Sequence, residues 1–123
     1  MAYLAATPDT FIAKKKADRT GKSFLITDKR GQHHWQINAL TFMVQTDNPE
    51  IIYVIERNEF LKTEGAAPIH PEKYEQYRFG YWFLKKTDEK TSAWTWGQFG
   101  PQITVSDWPR LMAKAKKEGT LLN

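Results

Sequence analysis

The residues of this chain that could do chemistry are rings and cations set close together, not acids beside bases. Nine of the seventeen aromatic residues fall between Tyr74 and Phe99: Tyr74, Tyr77, Phe79, Tyr81, Trp82, Phe83, Trp94, Trp96 and Phe99. Alternation along an extended strand puts Tyr77, Phe79, Tyr81 and Phe83 on one face and Arg78, Gly80, Trp82 and Leu84 on the other. In the following segment Trp94, Trp96 and Gln98 share a face. Flat π-surfaces beside positive groups stack unpaired bases and hold phosphates, and each stacked base contributes roughly 1–3 kcal/mol. The constellation expected to bind nucleic acid is therefore Tyr81, Trp82, Trp94 and Trp96 for stacking, Arg78, Lys85 and Lys86 for phosphate, and Gln98 for base edges. Single-stranded or structured RNA or DNA suits it better than duplex, because no recognition-helix motif is visible.

Two other readings use the same residues. Trp, Tyr and Arg also dominate protein–protein hot spots, so the patch suits a protein-interaction module or inhibitor equally in residue type. Alternatively every ring is core. Hairpin register decides between them, since a slip of one residue exchanges the faces. Gly80 and Gly97 mark places where a ligand, another backbone or a neighbouring tryptophan comes close. Arg78 interrupts an apolar strand, so it must reach solvent, pair with an acid such as Glu75, or bind an anion.

Other chemistries lack their residues. With no cysteine there is no disulfide framework, thiolate nucleophile or Cys-ligated metal. Thr20-Gly21-Lys22-Ser23 resembles the end of a phosphate loop, but position 16 is Lys where that loop needs glycine, and a helix precedes it instead of a strand. His33 and His34, as strand neighbours, point to opposite faces and cannot share a metal, and His70 stands apart. Asp47, Glu50, Glu56 and Glu59 offer carboxylates for a metal-dependent hydrolase, yet the lysine expected two residues after Glu56 is Asn58. Ser23, Ser92 and Ser106 sit at turns or caps without a glycine elbow. The reading is a non-enzymatic domain with no cofactor and no metal; an enzyme acting on a nucleotide-like molecule would need Glu56 or Glu59 to face the aromatic site.

Charge is arranged in blocks. Residues 1–35 hold seven Lys/Arg against three Asp/Glu, residues 36–75 three against seven, and residues 76–123 eight against four, for a net charge of +4. Basic flanks around an acidic middle suit an anionic partner on one side. Lys14-Lys15-Lys16 and the lysines of the last helix are the further phosphate contacts this implies. No apolar run is long enough to span a membrane and the opening MAYLAATPDTF has no basic stretch before its apolar residues, so a cytoplasmic protein without a leader is expected.

The elements that must position these groups follow from local signals. Thr7-Pro8-Asp9 starts a helix running to Asp18, ended by Gly21, with Phe11 and Ile12 turned inward. Lys22–Thr27 and the segment from His33 onward form a hairpin across Asp28–Gly31, and apolar alternation slips phase near Ala39–Leu40, as at a β-bulge. Asp47-Asn48-Pro49 turns the chain into Glu50–Glu56, whose continuous apolar run predicts a central strand covered on both faces. Arg57–Pro71 reads as a long loop with a helical turn at Asn58–Lys62. Glu75–Lys86 and Thr91–Phe99 make a second hairpin across 87–90, and Ser106 caps a final helix ending at Gly119. The expectation is one domain over 1–123: an α+β fold with a mainly antiparallel sheet of about five strands, in two hairpins, flanked by an N-terminal and a C-terminal helix.

Overall fold

The computed structural model describes residues 5–86 and 92–122. Its elements in chain order are α1 (Pro8–Arg19), β1 (Ser23–Asp28), β2 (Gly31–Gln45), β3 (Asn48–Glu64), β4 (Glu75–Lys86), β5 (Ser92–Trp96) and α2 (Asp107–Lys117). The five strands form one antiparallel meander in sequence order. This is the α+β architecture expected, with one helix at each end of the chain. No helix among the described residues is long and apolar enough to cross a membrane.

Each face of the sheet carries its own core. The apolar run of β3 places Ile52 and Val54 on one side and Tyr53 and Ile55 on the other, and all four are buried. Ile52 and Val54 pack with Ile37, Leu40 and Phe42 on the face met by Phe11 and Ile12 of α1. Tyr53 and Ile55 pack with Leu111 and Ala115 of α2. Each buried aliphatic side chain contributes roughly 1.5–3 kcal/mol, which makes β3 the strand that holds the fold together.

The phase slip in β2 is real. Pairing with β3 shifts between Ile37 and Ala39, so Trp35 and Ile37 before the bulge and Leu40 and Phe42 after it are all buried. One inserted residue, Asn38, restores the apolar side chains to the α1 face. Asn38 then turns its amide to Glu59 at 3.0 Å and Glu75 at 3.2 Å.

Several expectations are corrected. β3 does not stop at Glu56: Arg57–Glu64 continues the strand and contains no helical turn, and the irregular connection is confined to residues 65–74. Asn48 and Pro49 already belong to β3, so the preceding turn is Thr46-Asp47. The polar stretch remains a strand because its neighbours satisfy it. Arg57 bonds Glu75 at 2.5 Å and the Thr120 carbonyl at 3.1 Å, while Phe60 is buried edge-on against Trp35. His70 and Tyr74 of the connection stack at 3.9 Å and close over that pair. β5 ends at Trp96, leaving Gln98 and Phe99 beyond it, and Thr91 with the turn 87–90 lies outside the described residues. The Ser106 hydroxyl makes no capping bond. Thr104 serves the start of α2 instead, its hydroxyl accepting from the Asp107 N–H at 3.1 Å and its carbonyl from the Trp108 N–H at 3.0 Å.

α2 also guards an edge. β1 pairs with β2 no further than Gln36, so the rest of β2 has an open side. There the Lys114 ammonium bonds the Phe42 carbonyl, and Asp107 accepts from the Thr46 N–H at 3.0 Å and the Thr46 hydroxyl at 2.5 Å.

Candidate functional site

Hairpin register divides the expected binding residues between two faces. Trp82 lies opposite Trp96, and Leu84 opposite Trp94. Trp82, Trp94 and Trp96 therefore share the α1 face with Arg78 and Lys86, while Tyr81 and Lys85 stand on the α2 face. Gln98 is exposed in the bend after β5.

The tryptophan side is packed. Phe11 of α1 meets Trp82 edge-on at 5.2 Å and Trp94 at 5.4 Å, and the Lys15 ammonium sits 4.7 Å from the Trp82 ring. The Trp94 indole N–H donates to the Ala6 carbonyl at 2.8 Å. Trp96 stands edge-on to Trp82 and covers Gly80, where any Cβ would collide with its ring. A shallow pocket of about 310 Å³, lined by Phe11, Lys14, Lys15 and Trp94 among others, is the space left between α1 and β5.

Arg78 is paired, and its acid is Glu56 instead of Glu75. Its Nε and Nη2 reach one carboxylate oxygen of Glu56 at 2.8 and 2.7 Å, while Arg19 of α1 reaches the other at 3.0 Å. Glu56 is fully buried, so the two guanidiniums compensate a charge that could not stand alone there. The Arg78 guanidinium also lies over Phe24 and Trp96, at 5.2 and 5.5 Å. Glu56 thus faces the tryptophan side as a neutralised structural acid, and Glu59 accepts from Asn38. Lys86 lies 3.4 Å from Glu50.

The α2 face has the opening. Between β4 and the segment 97–104 runs a groove of about 590 Å³, a volume typical of small-ligand sites, lined by Gln45, Ile51, Tyr53, Tyr81, Phe99, Gly100, Gln102, Ile103 and Thr104. Tyr81 is held against the Gly97 backbone, where a Cβ would overlap its ring, and the Gly97 N–H bonds the Tyr81 carbonyl at 2.9 Å. Phe83 adjoins Tyr81 at 6.2 Å. Across the groove Phe99 is 80% exposed. Polar groups of the lining are already oriented: the Tyr53 hydroxyl donates to Gln45 Oε1 at 3.0 Å and accepts from the Thr104 N–H at 3.3 Å. Among the described residues the lining holds no cation; Lys85 stands on the same face, four residues beyond Tyr81 and outside the lining.

Of the residues expected from the sequence only Tyr81 lines this groove; Lys85 and Gln98 lie outside its lining, and Phe99, Gln45 and Gln102, which do line it, were not among those expected. The available signal was Gly97-Gln98-Phe99-Gly100-Pro101, a solitary ring bracketed by residues that break strands. Of the histidines, His33 is buried between Asp28 at 2.8 Å and Thr63 at 3.0 Å, and His34 on the other face lies 3.4 Å from Glu64. Bonds from Arg30 and His33 hold the Asp28 carboxyl well below the usual carboxylate range. No three His, Asp or Glu side chains gather as metal ligands among the described residues. Comparison with protein-family models, curated proteins and solved structures gives no match for this chain.

Proposed function

We propose that the protein is a non-enzymatic nucleic-acid-binding domain, and that unpaired bases enter the groove between Tyr81 and Phe99. The observation that carries this reading is a groove whose lining includes an exposed ring, Phe99, and a ring held against backbone, Tyr81, together with amide and hydroxyl groups. A base needs two π-surfaces and a few donors and acceptors at its edge, and Gln45 and Gln102 of the lining carry both kinds. Lys85 on the same face and the net charge of +4 supply the attraction for phosphate. In this arrangement Trp82, Trp94 and Trp96 hold the hairpin and do not stack on ligand, and Arg78 secures Glu56.

A second reading has its own support. Val105 is 92% exposed, Trp108, stacked on Phe79 at 6.1 Å, is half exposed, and with Phe99 they put three exposed apolar side chains within ten residues, a composition suited to a protein partner. Salt separates the two. The test is fluorescence anisotropy of a labelled single-stranded oligonucleotide. Phosphate-driven affinity falls by orders of magnitude between about 50 and 200 mM salt. Phe99→Ala is expected to weaken binding about tenfold or more with no loss of thermal stability. No binding at about 50 mM salt, or affinity indifferent to salt and to Phe99→Ala, would overturn the proposal.

A further inference from the structure

The sheet has two outer strands, and they are treated differently. Beside β5 lies the segment before α1, with the Ala5 N–H near the Ser92 hydroxyl at 3.4 Å and the Ala6 carbonyl on Trp94. The open stretch of β2 is met by Lys114 of α2 at the Phe42 carbonyl, and Asp107 holds the turn that follows it at Thr46. The outer edge of β1 has no such cover among the described residues. Its sequence, Ser-Phe-Leu-Ile-Thr from Ser23 to Thr27, contains no charge, proline or bulge, and Leu25 and Ile26 are 48% and 46% exposed. Proteins ordinarily blunt such an edge with one of those devices, because it is a template for another strand.

Backbone parity fixes what can be added there. The Ile37 N–H bonds the Lys22 carbonyl at 2.8 Å, so the even residues of β1 turn their polar groups toward β2 and Ser23, Leu25 and Thr27 present theirs outward. We propose that β1 pairs antiparallel with β1 of a second copy of this chain, about a two-fold axis at Leu25, joining the two sheets into one. In that register Leu25 faces Leu25 of the second copy, Ser23 faces Thr27, Phe24 faces Ile26, and Lys22 faces Asp28. The outward groups of Ser23, Leu25 and Thr27 then meet their counterparts, and the only charges at the ends of the pairing are opposite in sign. Sliding the strands by two residues toward the hairpin turn sets Lys22 against Arg30, which is repulsive. Self-complementarity in shape, parity and charge is what a two-fold interface requires.

Because the chain has no cysteine, Leu25→Cys introduces a single reporter thiol at the axis, where paired Cα atoms would be about 5.5 Å apart, within disulfide reach. Leu61→Cys, equally exposed at 45% but on β3, is the control. Sedimentation velocity of the unmodified protein up to about 200 µM is expected to show a monomer–dimer equilibrium. Leu25→Lys, which sets two ammonium groups together across the axis at an exposed position, is expected to weaken it about tenfold or more. Mild oxidation should link Leu25→Cys chains faster than Leu61→Cys chains. A monomer throughout, an equilibrium unchanged by Leu25→Lys, or equal linking rates for the two cysteine variants would each overturn the proposal. None of these readouts involves the groove.

Discussion

Glu56 is the residue on which the tryptophan side of the sheet depends. A carboxylate with no exposure is tolerable only while Arg19 and Arg78 both face it. Arg78→Ala therefore acts on stability first: removing one of two partners should cost about 2–3 kcal/mol in urea unfolding, while oligonucleotide affinity stays near that of the unmodified protein. A stable variant that loses binding would return Arg78 to the role of phosphate contact. Asp107 is the corresponding residue on the other face. Donation by the Thr46 hydroxyl and then the Thr46 N–H holds its carboxyl below the ordinary value of 3.8. A depressed folded-state value means that Asp107 contributes its full stability above about pH 4 and loses it as pH falls through the folded value. Asp107→Asn should flatten the acid side of the stability–pH curve, and Asp107→Ala should lower stability by about 2–4 kcal/mol near neutral pH. Chemical denaturation across pH 2–7 measures both.

At the scale of elements, glycine positions do the fitting. Trp96 occupies the space above Gly80, so Gly80→Val must push the indole out of contact with Trp82, costing about 1–3 kcal/mol and shifting tryptophan emission to the red. Retained stability with unshifted emission would mean that Trp96 is not seated there. Much of this level was legible in the residues. The continuous apolar run Ile51–Ile55 marked a strand covered on both faces, and the phase slip in β2 located its bulge to within about a residue or two. What was not legible has physical causes. Arg57–Glu64 lacks apolar alternation because Arg57 and Glu59 find partners in Glu75 and Asn38 on neighbouring strands, and no local pattern reports such partners. Which rings of the second hairpin lie under α1 depended on register, and the register depends on a turn whose sequence, Thr87-Asp88-Glu89-Lys90, does not specify a turn type.

For the whole molecule, the consequence is a sheet with one aromatic side packed against α1 and another that carries a groove. Phe11 of α1 packs on Trp82 and Trp94, with the three tryptophans of the hairpin partly buried, whereas the core under α2 does not include Tyr81, which lines the groove. The blockwise charge of the sequence does not survive folding as a simple polarity, since basic Arg19 and Arg78 close on acidic Glu56 from the middle block. The location of the proposed site therefore rests on the groove and not on the blocks of charge along the sequence. The most direct measurement is a ¹H–¹⁵N correlation spectrum of the protein titrated with a single-stranded oligonucleotide at low salt. The account predicts that the amides of Tyr81 and of residues 97–100 and 102–104 shift while the indole N–H signals of Trp82, Trp94 and Trp96 stay in place. Shifts concentrated on those indoles, or no shifts along the groove at saturating oligonucleotide, would contradict it.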